Sequence, residues 1–546
     1  MTIEEMYPIT SWQAMLADEN SGLFEHMVSL YGNRKLIEEP MALLKRCIDE
    51  FARSYGDDRE VFVVRSPGRV NLLGMHVDHR GSSVNPIAIK EAFFIVEPRQ
   101  DDTVVLRDVN SDRFPEESFA ISRCLPDGEK IKDWDSWCHD EFEKRKDDPS
   151  ISSSNYVRAG VLYFQHLNTA GNGERNPAFR GMNIMMGSNV PPAAGLSTSS
   201  CLVVASALAA LHANGLEVDP MELCEQCGFA EWYVGTRGGF GDHAAIVMGR
   251  NNRILHMTAF PFTVDSVPFS GDYRIVLANS LVEAKKQVGA KDGYNTPLAS
   301  YAFGLWLARK NFPQYAEKME HLRDINPKTL GVDEAGIYRI LKSMPDRISR
   351  EEVRELFPEK TEELEHLFRS HGAPADGYRV RQVCMYGISE CIRADLAVQY
   401  LNANNMEAFG KLVSLHHDGD RVARLGDDGE MAPEEKEYSD AKMDELISRV
   451  QSGDEDAHVW AQAGAYNVSV PEIDMLVDLA LQKKGVVGAG LTGAGLGGSM
   501  IALVKAESAQ EVVDHLAENY YRKKGLPAKV EVVKPVAGAG ILGIGE

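Results

Sequence analysis

The stretch Asn189–Leu211, NVPPAAGLSTSSCLVVASALAAL, decides how the rest of the chain is read. It opens on two prolines, passes through small residues into a run of hydroxyls, and ends in an apolar segment that predicts a buried helix. A helix N-terminus exposes unpaired backbone N–H groups and the positive end of the helix dipole. Small residues ahead of it let a phosphate approach those groups closely. Pro192, Ala193, Ala194, Gly195 and Leu196, followed by Ser197, Thr198, Ser199 and Ser200, therefore form a candidate nucleotide phosphate cradle. On this segment alone, a hydroxyl-rich N-cap ahead of a core helix explains the pattern equally well. No Gly-Lys-Ser/Thr follows, so this is not a Walker A loop.

The chain has 546 residues, too many for one small core, which points to two lobes. Apolar residues make up 44% and charged residues 25%, an ordinary globular balance. A net charge of −23 without a basic stripe argues against a nucleic-acid partner and an anionic membrane surface. No run approaches the length needed to cross a bilayer, and MTIEEMYPITSW does not read as a secretory signal. Eight cysteines in so long a chain are not a disulfide framework, which suits the cytoplasm. Cys224 and Cys227 form a CxxC, but without a second pair they read as two thiols on a packed helix. Nothing in the sequence sets the oligomeric state.

Helical apolar spacing runs from Pro40 to Tyr55 and again over 297–309 and 380–402. VFVVRSPGRVNLLG starts as a buried strand and is expected to turn at Ser66-Pro67-Gly68. Residues 92–99, 103–109, 181–190 and 273–280 read as further strands, as do the segments SMIALVKA and KVEVVKPV, with a helix over 508–519 between the last two. AAIVMGRNNRILHMTAF predicts strand, turn, strand. Residues 110–155 read as surface, and the acidic stretch 424–445 as a polar, mobile insertion. The whole is α+β, two-lobed, with a cleft between the lobes.

Two further segments carry chemistry. SPGRVNLLGMHVDHRG (66–81) crowds His76, Asp78, His79 and Arg80 just after a buried strand, where they suit the hydroxyls of a sugar; Arg69 suits a developing negative charge. GVVGAGLTGAGLGGSMIALV (485–504) holds seven glycines in its first fourteen residues, and lies over a ligand or supports the phosphate loop.

The three segments, in this order, resemble the motifs of the GHMP sugar and metabolite kinases, and within them the galactokinase-like branch. GRVNLLGMHVDHRGS, PPAAGLSTSSC and GAGLTGAGLGGSM carry the resemblance, which extends from about Leu30 to VKPVAGAG and leaves out about 310–375 and 424–460. It implies a two-lobed α+β fold with a left-handed βαβ unit, an N-terminal lobe over 1–270 and a C-terminal lobe over 271–546. It also implies transfer of the ATP γ-phosphoryl group to the anomeric hydroxyl of galactose or a galacto-configured sugar, with Mg2+. By the same resemblance Asp242, in GTRGGFGDH, is the catalytic aspartate and Arg69 its partner. Met75, His76, Asp78, His79, Gly239 and Tyr294 line the sugar, and Ser199 and Glu231 face the metal. Phosphoryl transfer is mostly positioning and charge stabilisation, which suits this set.

The departures bear on substrate choice. The family's glutamate before the histidine is Met75, its tyrosine after the aspartate is His79, and its cysteine before Gly239 is Gly238. A 6-hydroxyl loses an acceptor at position 75, which keeps galacturonate and arabinose open beside galactose. A non-catalytic sugar sensor is the rival class, but Arg69, Asp242 and GLSTSS are all intact. A third reading is a kinase of another small molecule on the same fold.

Overall fold

The computed structural model describes residues 5–126, 129–145, 154–170, 172–175, 178–235, 239–283 and 288–543. Its larger sheet runs Tyr7–Pro8, Glu60–Asn71, Pro86–Pro98, Met182–Ser188, Thr103–Asp108, Glu117–Ala120, with Gly540–Ile541 also paired to Glu60–Asn71. Neighbours are antiparallel except Thr103–Asp108, which runs parallel to Met182–Ser188.

Strand residues alternate faces, and here both faces are covered. Phe62, Val64, Phe94, Val96 and Ile184 point into one core, and Val61, Val63, Phe93, Ile95 and Met185 into another under the helix Glu38–Tyr55. The smaller sheet, Val486–Thr492, Ser499–Lys505, Tyr273–Asn279, Val530–Val533, is antiparallel throughout. Its Ile275, Leu277, Ile501 and Leu503 join the first core, while Val276, Ala278, Met500 and Ala502 face a third. The two lobes thus share one continuous apolar core, and the site sits on its rim.

Six helices build that rim: α1 (Thr198–Ala213), α2 (Pro220–Glu231), α3 (Gly241–Met248), α4 (Val288–Asn311), α5 (Val380–Asn402) and α6 (Met406–Asp420). As the apolar run predicts, α1 is buried from Ser200 to Ala213 with almost no polar face.

Several local expectations are corrected. The strand Glu60–Asn71 does not turn at Ser66-Pro67-Gly68; it continues through a register shift there, the one place a strand interior accepts proline. Residues 244–248 are helix, not strand: a short apolar run carries no period to tell the two apart. The region 110–155 is not all surface, since the helix Trp134–Glu143 buries Trp134 and Cys138. The acidic stretch 424–445 is folded: Ala423–Leu425 pairs with Met431–Pro433, and Asp440 and Asp444 reach Arg381 and Lys342, both at 2.7 Å. Cys224 and Cys227 are free buried thiols on α2.

The helix Ser154–Leu167 crosses α1 at Gly160, where an added Cβ would lie 2.7 Å from the Val203 carbonyl oxygen and 2.9 Å from the Ala207 nitrogen. Gly160→Ala is expected to destabilise the fold by roughly 1–3 kcal/mol through overpacking, read as a lower midpoint in thermal or urea denaturation. An unchanged midpoint would mean that the helices do not pack this closely.

Candidate active site

The phosphate loop is held from behind. Ser197, the residue before α1, is left-handed at φ 52°, as are Ala193 and Gly195 at 56° and 76°, so the chain coils tightly into the helix. The Ser499 hydroxyl donates to the Ala194 carbonyl at 2.8 Å and the Thr198 hydroxyl to the Pro191 carbonyl at 2.9 Å. Side chains on Gly493 or Gly498 would come within 2.9 Å of the Gly195 oxygen or 3.1 Å of the Ala194 oxygen. The glycine-rich segment is therefore the backing of the phosphate loop. The Thr492 hydroxyl closes the same seam, bonded to both the amide and the carbonyl of Asn71 at 3.0 and 2.9 Å.

Arg69 and Asp242 meet as expected of a pair. Nε and Nη2 donate to the two carboxylate oxygens at 2.7 Å each, and Nη1 donates to the Gly195 carbonyl at 2.6 Å. This is the planar bidentate geometry that only arginine offers. The Arg69 side chain is 8% exposed and that of Asp242 35%, so the cation is enclosed while the carboxylate opens on the cleft. Ser197, which the sequence places among the nucleotide-binding residues, turns its hydroxyl to Asp242 instead. An ionised carboxylate has about four acceptor positions, so Asp242 keeps capacity for a substrate hydroxyl.

The loop after the strand Glu60–Asn71 brings Asp78 beside this pair: its Oδ2 lies 3.7 Å from where a Cβ on Gly241 would stand. Burial would raise the Asp78 pKa, but the His79 hydrogen bond at 2.9 Å and nearby His76 outweigh it and hold the carboxyl at about 2. The shift favours the carboxylate form of Asp78, which suits it to accepting hydroxyl donors. His79 is partly exposed. His76 is buried, with its ring stacked on Tyr466 at 4.4 Å. Met75 is buried too, and its carbonyl oxygen lies 3.4 Å from the Tyr386 hydroxyl. Among the described residues, nothing lies within 4 Å of a Cβ added at Gly239; Gly238 lies outside the described residues. The Tyr294 hydroxyl donates to the Gly495 carbonyl at 2.9 Å, and burial pushes its pKa up to about 12, so this residue ties α4 to the glycine-rich loop.

Glu231 ends α2 behind the first turn of α1. Its Oε2 accepts the Ser200 hydroxyl at 2.8 Å and lies 2.8 Å from His243 Nε2 on α3. Ser199 is half-buried at the same turn. Sequence reasoning missed His243, Tyr466, Tyr386 and Asp420; the spacings Tyr386–Glu390 and His416–Asp420, polar residues four apart on α5 and α6, were the available signal.

Residues 155–250 match the family model of the GHMP kinases N terminal domain, 49–96 the galactokinase galactose-binding signature, and 444–522 the GHMP kinases C terminal. The chain is 26% identical to the galactokinase of Schizosaccharomyces pombe over 95% of its own length and 98% of that protein's. It is 24% identical to the galactokinase of Bacillus subtilis over 90% and 96% of the two lengths. The crystal structure of Lactococcus lactis galactokinase complexed with galactose has the same fold, with a TM-score of 0.60 and 21% identity, over 91% of this chain and 99% of that one. The protein is a kinase of the GHMP fold. Within that class it is a sugar kinase similar to the galactokinases over nearly its whole length.

Asp242→Asn keeps the side-chain volume but leaves one oxygen, not two, to accept from Arg69, and it removes the charge and the proton acceptor; turnover is expected to fall at least about a hundredfold, with a lowered melting temperature because the enclosed Arg69 loses its counter-charge. Gly239→Ala is expected to leave stability alone and to raise the sugar KM, because no described residue stands within 4 Å of its Cβ at the cleft. Steady-state kinetics and thermal denaturation of both variants check this.

Proposed function

We propose that the protein is an ATP-dependent galactose 1-kinase. The observation that carries this reading is the Arg69 guanidinium, bound at once to Asp242 and to the Gly195 carbonyl of the phosphate loop. One cation thereby stands between the place for a sugar hydroxyl and the place for a triphosphate. The galactose-binding signature over 49–96 and the galactokinases among its relatives support the same choice of sugar.

In this reading Asp78 and His76 orient the sugar and Asp242 receives the anomeric hydroxyl. As the anomeric oxygen attacks the γ-phosphorus, its proton passes to Asp242, a new P–O bond forms, and the bond to the β-phosphate oxygen breaks with its electron pair leaving on ADP. Arg69 offsets the charge spread over the transferred group. The N–H groups at the start of α1, with Ser199, hold the triphosphate. The Ser200–Glu231 contact places a carboxylate and a hydroxyl beside the first turn of α1, hard oxygen donors that fit magnesium. Ser199 and Glu231 would hold that ion, whose charge would offset that of the triphosphate. The boundary between the lobes falls near residue 270, and eight cysteines without a disulfide framework in the sequence suit a reducing cytoplasm.

The deciding experiment is a coupled ADP-release screen over galactose, galacturonate, arabinose, fucose, N-acetylgalactosamine and glucuronate. Galactose is expected to give the highest kcat/KM. Preferred turnover of a uronate or a pentose would overturn the choice of sugar, and absence of turnover with every sugar would overturn the activity. Ser199→Ala is expected to raise the KM for magnesium-ATP at least about tenfold while leaving the sugar KM within about twofold, since a lost hydrogen bond to a charged group is worth about 1.5–3 kcal/mol.

A further inference from the structure

The sugar loop belongs to the N-terminal lobe, yet three successive residues of it are gripped by helices of the other lobe. Glu390 on α5 accepts the Gly74 N–H at 2.7 Å, and Tyr386, one turn earlier, reaches the Met75 carbonyl. Asp420, the last residue of α6, brings its Oδ2 to 3.4 Å from His76 Nε2. The same Oδ2 is 3.4 Å from His416 Nε2, and His416 Nδ1 lies 3.0 Å from Glu390. Arg393 closes the set on Glu390 at 2.8 Å.

Glu390, Arg393, His416 and Asp420 are all fully buried. Buried charges persist only when paired. Arg393 is paired with Glu390, and the His416 ring stands between Glu390 and Asp420. Burial lowers the pKa of His416, but Glu390 and Asp420 outweigh it and the net shift is upward. Burial would raise the pKa of Glu390, yet His416 and Arg393 bring it to about 2. Among the described residues, neither oxygen of Asp420 nor Nε2 of His76 has a hydrogen-bond partner within normal geometry. His76 Nε2 and His416 Nε2, which is likewise unsatisfied, both stand 3.4 Å from Asp420 Oδ2, one small movement from a bond, and such contacts commonly tighten when a site fills.

We propose that Asp420 is a positioning residue for sugar recognition: it holds the His76 imidazole with Nε2–H toward α6, so that Nδ1 is left as an acceptor for a sugar hydroxyl. A neutral imidazole donates from one nitrogen and accepts at the other, and the partner of the first fixes the role of the second. The stack on Tyr466 sets the plane of the ring; Asp420 sets its tautomer. This inference rests on the galactose kinase reading of the site, and it makes the loop's preference for a hydroxyl a property of α6.

The test is a double-mutant cycle with an internal control. Asp420→Asn is expected to raise the galactose KM at least tenfold with the ATP KM within twofold. In the His76→Gln background it is expected to add nothing. Asp474→Asn is the control: Asp474 is another buried carboxylate 3.4 Å from an imidazole, that of His417, but it lies away from the sugar loop. It is expected to lower stability and leave the galactose KM unchanged. On the wild-type protein, 15N chemical shifts of His76 are expected to show the neutral Nε2–H form, a readout independent of turnover and of how well any variant folds. An unchanged galactose KM in Asp420→Asn, losses that multiply in the double variant, or the Nδ1–H form of His76 would each overturn the proposal. Wild-type protein that turns over no sugar would instead remove the reading beneath it, whatever the tautomer.

Discussion

Arg69 is the residue on which the architecture of the site depends. Its guanidinium holds Asp242 at two points and the Gly195 carbonyl at a third, and its own amide N–H donates to the Leu196 carbonyl at 3.1 Å. Three separate pieces of chain, the strand Glu60–Asn71, the start of α3 and the loop ahead of α1, are fixed to one another by that single side chain. An enclosed cation left without its carboxylate costs several kcal/mol, so the pair is stable only when all three are in place. The arrangement is thus preorganised: the groups that meet the transferred charge are held by the fold before any ligand arrives.

What surrounds Arg69 follows from the need to bring backbone close to backbone. Gly68 precedes it in the strand, and a Cβ there would stand 2.8 Å from the Leu196 oxygen. Gly493 and Gly498, at φ 89° and 91°, let the glycine-rich loop lie directly on the phosphate loop. The smaller sheet delivers that loop, and one face of the sheet belongs to the core of the other lobe. A continuous apolar core beneath a site made of three loops explains how residues more than 400 positions apart, Asn71 and Thr492, stay in hydrogen-bond register.

The long elements were legible in the sequence because each has a strong period: α5 falls on the predicted 380–402, and the phosphate-loop helix is where its apolar run places it. The pairing of Arg69 with Asp242 was legible through the family resemblance of two motifs. Residues 244–248 were misread because a five-residue apolar run has no period, and the folding of 424–445 was hidden because its order comes from ion pairs with distant residues such as Lys342. The turn of Ser197 toward Asp242 depends on a positive φ at a non-glycine residue, which composition does not announce. The grip of α5 and α6 on the sugar loop is long-range throughout: Gly74 and Glu390 are 316 positions apart.

The most direct test of the account is the identity of the product. With ATP, magnesium and galactose, 31P NMR is predicted to show a new phosphomonoester whose phosphorus couples to the single anomeric proton, appearing as one ATP is converted to one ADP. A phosphorus coupled to two equivalent-type methylene protons would place the phosphate on C6 and contradict the assigned orientation of the sugar against Asp242. Inorganic phosphate alone, with no sugar phosphate, would contradict the account as a whole.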